Sequence, residues 1–224
     1  MTSAKVKEIY REIQKKIFYI IPEKWSKVYL YFAILERPNN LETGELYFYY
    51  FPKGVLKKKA INVYEIPARF NIDENEYLKY VNELFKVLKL LRMQVLKENN
   101  KLCNNIIVLI ENFRFTVEYN YDEYFNSTYS SYAKHQIFRY KYLKTPISSF
   151  NKKDKKIIEN YLLNISNYKP DVEIYYEPMY NAPFKTITSN SKESNIQYVK
   201  EDSIESNKIE EKIEIKNQIL KAKL

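Results

Sequence analysis

Six apolar residues, Leu78, Val81, Phe85, Leu88, Leu91 and Val95, recur at three- and four-residue spacing and line one side of a helix for about five turns. A stripe that long needs an apolar surface to cover. Asp73 is placed to cap the helix, Glu76 to return a bond in the manner of a capping box, and Asn99 with Asn100 to end it. A second stripe, Val6, Ile9, Ile13, Ile17 and Ile20, marks an N-terminal helix over residues 3–20, stopped by Pro22. The surface to be covered lies between and after these helices. Residues 27–35 and 45–51 are β-branched and aromatic runs suited to strands, and the turn residues of 37–44 make them a hairpin. Pro52 and Gly54 end it, and a weaker third strand spans 60–66, up to Pro67. Two short strands, 106–110 and 114–119, flank a turn at Glu111 and Asn112, and helices follow at 129–143 and, after Pro146, at 153–163. The expected fold is α+β: an antiparallel sheet of about five short strands packed against an N-terminal helix, a long central helix and C-terminal helices, with an extended charged tail.

A length of 224 residues suits one domain with a core plus an appendage. The division expected is residues 1–165 as the domain and 166–224 as a C-terminal extension. Within the extension, 172–176 suit a strand, Pro178 and Pro183 interrupt the residues after it, and the Ser-, Asn- and Glu-rich stretch 188–208 reads as a linker. Ile209, Ile213, Leu220 and Leu224 point to a last, highly charged helix. There are no internal repeats.

A net charge of +9 raises nucleic acid or an anionic membrane as partners. Its distribution weakens that idea: the excess is +6 over residues 1–100, +2 over 101–150, +2 over 151–200 and −1 over 201–224. Only two runs are dense, Lys57 to Lys59 and the lysines around Asp154 (Lys152, Lys153, Lys155, Lys156), and each reads as a solvated loop or helix start rather than a phosphate track. The 23 tyrosines fit strands and interfaces, although A/T-rich codons inflate Tyr, Lys, Asn and Ile together. A single cysteine, Cys103, rules out an internal disulfide and any multi-cysteine zinc site and fits a reducing compartment. The N-terminus has no signal-peptide pattern, and the apolar clusters at 17–22 and 106–110 are far too short to cross a bilayer, so a cytoplasmic location is expected.

The inventory of reactive groups is thin. His135 is the one histidine; with no second His and no Cys nearby it completes neither a transition-metal site nor a conventional triad, and it reads as structural or surface-exposed. Cys103 reads as an inert small residue at a strand start. Phosphate-cradling loops need several glycines, and only Gly44 and Gly54 exist, each in an expected turn. Glu214, Ile215 and Lys216 match part of a nuclease pattern, but in a Glu/Lys tail with no core strand to hold a metal. Tyr29, Tyr31, Tyr47, Tyr49 and Tyr50 would suit a stacking platform for single-stranded nucleic acid; with no basic residue over 46–51, packing within a sheet accounts for them better. Asp122 and Glu123, flanked by Tyr119, Tyr121 and Tyr124, either close a strand and begin a loop or join acids to rigid aromatics as a binding surface. The reading is a binding protein that is not an enzyme, with no catalytic residues, no cofactor and no metal.

The order of elements carries a resemblance. The N-terminal helix leads into Ile21, Pro22, Glu23, Lys24, Trp25, Ser26, Lys27, Val28 and Tyr29, and the tyrosine strand ends in Phe51 and Pro52. Tyr64, Glu65, Ile66 and Pro67 come next, then Phe70, Asn71, Ile72 and Asp73 open the long helix, which holds the step Leu90, Leu91, Arg92. Residues 115–119, Tyr121 with Asp122, and Arg139, Tyr140, Lys141 and Tyr142 complete the series. Over roughly residues 5–165 it resembles the YezG-like family of bacterial immunity proteins. The resemblance implies a cytoplasmic antidote, encoded beside a polymorphic secreted toxin, often nuclease-tipped, whose toxic domain it binds so that the producer survives competition. Its partner would be that protein domain, with no membrane, and with a basic nucleic-acid-binding module as the alternative reading. Glu118, Tyr119, Tyr121, Asp122, Glu123 and Tyr124 are the first candidates for contacts. Two departures stand out: inhibitors of nucleases are commonly acidic whereas this chain is basic, and the stretch after residue 165 has no counterpart.

Overall fold

The computed structural model describes residues 2–37, 41–54, 59–167, 170–179, 185–187 and 196–198. The chain forms two units, Met1–Ile21 with Trp25–Tyr180, and Pro22–Lys24 with Asn181–Leu224. In the first unit the Ser3 hydroxyl accepts a bond from the Val6 amide and starts helix α1 (Ala4–Ile20), which buries Val6, Ile9, Tyr10, Ile13, Ile17 and Ile20. Strands β1 (Trp25–Arg37) and β2 (Leu41–Pro52) form a long antiparallel pair, with Tyr29 opposite Tyr49 and Tyr31 opposite Tyr47. Strand β3 (Ile61–Asn62) and the short helix α2 (Ile66–Phe70) lead to α3 (Glu74–Asn99). Asp73 caps α3 by accepting from the Glu76 amide at 3.0 Å, and Asn100, with φ of 52°, closes it. Then come β4 (Asn105–Glu111), β5 (Arg114–Asn120), helices α4 (Glu123–Thr128), α5 (Ser131–Lys141) and α6 (Lys152–Asn167), and β6 (Val172–Pro178). The sheet order is β3-β2-β1-β4-β5-β6, antiparallel at every step.

Strand periodicity sorts the core into two layers. Val28, Leu30, Phe32 and Ile34 of β1 share one sheet face with Phe48, Tyr50, Ile106, Val108, Ile110, Phe115, Val117 and Tyr119, and α1 and α3 cover it. Lys16 meets Glu83 at 2.6 Å and Ser3 meets Glu98 at 2.6 Å, so α1 and α3 run antiparallel. The other face carries Tyr29, Tyr31, Ala33 and Ile107 under Phe138 of α5. Each large apolar side chain removed from water here contributes roughly 1.5–3 kcal/mol.

The α+β architecture and its helix-covered antiparallel sheet follow the sequence pattern, with differences at several places. The sixth strand is β6, whose Val172 to Tyr176 the sequence marks as strand-like. The third strand holds only Ile61 and Asn62, because the Asn62 side chain accepts from the Tyr64 amide and starts a 3-10 turn over Val63–Glu65, which runs into α2 with Pro67 in its first turn. Gly44 sits in β2 opposite Ile34 rather than in a turn. A Cβ there would lie 1.9 Å from the Phe85 ring, so its lack of a side chain lets α3 approach the sheet. Asp122 begins α4, where a loop was the plainer expectation. In the second unit, β7 (Lys185–Ile187) pairs antiparallel with β8 (Ile196–Tyr198), so the stretch read as a linker contains a short strand of alternating character. Lys57, Lys58, the terminal helix expected from Ile209 and the Glu214 to Lys216 triplet lie outside the described residues. Among the described residues no helix is long and apolar enough to cross a membrane.

Candidate functional site

The three helices after β5 build a surface away from the main core. Asp122 accepts from the Phe125 amide at 3.0 Å and starts α4, Ser130 accepts from Ala133 and starts α5, and Asn151 accepts from the Asp154 amide at 2.9 Å in the first turn of α6. Phe125, Tyr129 and Tyr161 pack ring to ring, at 5.2 Å for Phe125 with Tyr129 and 6.2 Å for each with Tyr161, joining α4 to α6, and Ala133 and Ile137 of α5 complete the cluster. Lys134, 4% exposed, donates to Asn126 Oδ1 at 2.8 Å and ties α5 to α4.

Between α5 and α6 lies an open groove of about 650 Å³. Thr128, Tyr129, Ser130, Tyr132 and Ala133 form one wall; Lys153, Ile157, Asn160, Leu163 and Asn164 form the other. Two hydrogen bonds span it: the Tyr132 hydroxyl donates to Asp154 Oδ1 at 2.8 Å, and Asn164 Nδ2 donates to the Tyr129 hydroxyl at 2.8 Å. The Asp154 bond holds the Tyr132 phenol above its ordinary value, and burial raises Tyr161 to about 12. Leu163 is 65% exposed and Tyr132 47%, so the walls present apolar area to water.

The six residues singled out in the sequence divide sharply. Tyr119 is in the core, its hydroxyl 2.7 Å from that of Tyr10. Glu118 accepts from the Tyr142 hydroxyl at 2.7 Å on the opposite sheet face. Tyr121 is buried, hydrogen-bonded to Glu173 and covered by Lys101 at 4.0 Å from its ring centre. Asp122, also buried, serves the α4 cap. Glu123 and Tyr124 are exposed, on the helix that leads into Thr128 and Tyr129 of the groove. The groove itself is a feature sequence reading missed. Its signal is positions 153, 157, 160 and 164, which recur at four- and three-residue spacing on one face of α6.

The remaining reactive candidates have structural surroundings. His135 Nε2 lies 2.8 Å from the Tyr49 hydroxyl, and its ring packs against Tyr47 at 4.5 Å. Burial, and secondarily Arg139, lowers its pKa. Cys103 is fully buried just before β4, and burial raises its thiol to about 11, far from thiolate character at neutral pH. Among the platform tyrosines, Tyr29 and Tyr31 are buried against Phe51 and Phe138, and Tyr50 lies on the opposite face with α3. Among the described residues no three His, Cys, Asp or Glu side chains gather where they could hold a metal ion.

Comparison with known proteins gives this surface its context. A family model described as immunity protein YezG-like matches residues 6–159, from α1 into α6. The immunity protein YezG of Bacillus spizizenii is 28% identical over 144 residues, covering 64% of this chain and 85% of that protein. The immunity protein YezG of Bacillus subtilis is 26% identical over 158 residues, covering 70% of this chain and 99% of that protein. The match takes in α5 and the first half of α6, and with more than half of its length inside the family pattern this chain belongs to the YezG-like immunity proteins.

Proposed function

We propose that the chain neutralises a cognate polymorphic secreted toxin in the producing bacterium by binding its toxic domain, through α4 and the α5–α6 groove. The observation that carries the reading is the groove: an apolar surface with Leu163 and Tyr132 exposed, framed by fixed hydrogen bonds, whose α5 wall and first turns of α6 fall in the segment shared with immunity proteins. Preformed walls and exposed aromatic area favour tight binding, because little ordering entropy is lost on association. Of the stretch 118–124, Glu123 and Tyr124 are the residues a partner would meet first. Work by contact needs a rigid scaffold and no reacting groups of its own.

The test is co-expression with the toxic domain encoded beside this chain. Cells carrying both are expected to grow where cells carrying the toxin alone do not, and the exposed substitution Leu163→Asp is expected to reduce that protection. Continued killing in the presence of well-folded wild-type protein would sink the reading.

A further inference from the structure

The net charge of +9 has a local expression at the groove. Helix α6 opens with Lys152, Lys153, Asp154, Lys155 and Lys156, and the structure separates the acid from the lysines. Asp154 is 5% exposed with both oxygens engaged, Oδ1 by Tyr132 and Oδ2 by Asn151 Nδ2 at 2.9 Å. Lys152, Lys153 and Lys156 are exposed, and Lys153 lies 5.2 Å over the Tyr132 ring at the groove's mouth. Cations in the first turn of a helix face the positive end of its dipole, so the helix's own stability does not account for them. Beyond this end the groove's lining among the described residues is uncharged, with Thr128, Ser130, Asn160 and Asn164 beside Ala133 and Leu163. The nearest exposed acid on α6 is Glu159.

We infer that the groove receives an acidic segment of the toxin domain, whose carboxylates meet Lys152, Lys153 and Lys156 while an apolar side chain seats against Ala133, Ile157 and Leu163. This rests on the immunity reading above and specifies its partner's chemistry. A nucleic acid would need cations at intervals along its backbone, and here they stand at one end only. The basic character that sets this chain apart from acidic nuclease inhibitors then becomes complementarity to an acidic contact face.

The experiment measures binding of the full chain to the catalytically inactivated toxin domain, at roughly 50 and 300 mM salt. The triple variant Lys152→Glu, Lys153→Glu, Lys156→Glu is compared with wild type and with Lys152→Arg, Lys153→Arg, Lys156→Arg, and each is checked for an unchanged melting curve. Wild type and the arginine variant are expected to bind, weakening as salt rises, and the glutamate variant to bind about tenfold to a hundredfold more weakly, chiefly through slower association. Equal binding by wild type and the glutamate variant overturns the inference while leaving the immunity reading intact. Absence of wild-type binding overturns both. Binding of a mixed-sequence single-stranded oligonucleotide by wild type, lost in the glutamate variant, would reassign the lysines to nucleic acid.

Discussion

The Tyr132 hydroxyl donates to Asp154 Oδ1 across the mouth of the groove at 2.8 Å, so the acid of a lysine-rich run is turned inward and the lysines outward. The same carboxylate accepts from Asn151, whose own side chain caps α6. Asp154→Ala removes both bonds at a buried position and is expected to destabilise the protein by roughly 1–3 kcal/mol. Urea unfolding would show this as a lower midpoint, with faster amide exchange in the first turns of α6. An unchanged midpoint would mean that the contact does not hold the two helices together.

The Tyr10 and Tyr119 hydroxyls pair at 2.7 Å between α1 and the sheet, and burial drives both phenol pKa values upward. Replacing either with Phe leaves the other hydroxyl buried without its partner, at a cost of about 1–2 kcal/mol. The double variant should cost less than the sum, because it removes the orphan as well. A double-mutant cycle by chemical denaturation checks this; strict additivity would contradict it. With Tyr119 only 1% exposed, Tyr119→Phe should leave toxin binding unchanged.

Asn105 is 1% exposed at the start of β4, and among the described residues neither of its side-chain amide atoms has a partner. It faces Ala33 and Asn120 across the strands. Since an unpaired buried amide is costly, Asn105→Val is expected to raise stability by about 1–2 kcal/mol. A loss of stability on thermal or urea unfolding would show that the amide contributes to the native state.

His135 supplies a pH dependence of known sign. Its folded pKa is lowered by burial and by Arg139, so on acidification the unfolded chain takes up the proton first. Its contribution is full above the ordinary value near 6.5 and is lost as pH falls from there towards the lowered folded value. The urea midpoint should therefore drop between about pH 7.5 and pH 5, and His135→Gln should flatten that slope. A slope identical in the variant would assign the effect to other groups.

Much of the scaffold was legible because its elements are long and periodic. α1 and α3 announce themselves by apolar spacing, and α3 also by its cap Asp73. β1, β2, β4 and β5 do so by β-branched and aromatic runs between turn residues. The short pieces were not legible. α4 spans six residues, too few for a helical period, and its one signal is the cap Asp122. α2 was hidden behind Ile61, Val63 and Ile66, and only Pro67 betrays it. Gly44 looks like a turn glycine until α3 brings Phe85 against it. The stretch 118–124 shows the limit most clearly. Alternation in a strand and a cap at its end send neighbouring side chains to different surroundings, so Tyr119 enters the core while Tyr124 meets solvent. The groove depends on two helices separated by the turn around Pro146, a relationship that composition and spacing do not encode.

The central claim is neutralisation by contact, and it is tested most directly by titrating the toxic domain's activity with the purified chain. Stoichiometric binding predicts that activity falls in proportion to added protein and is abolished near an equimolar ratio, with Leu163→Asp shifting the curve to higher concentration. Toxic activity that persists undiminished in a large excess of folded wild-type protein would contradict the account.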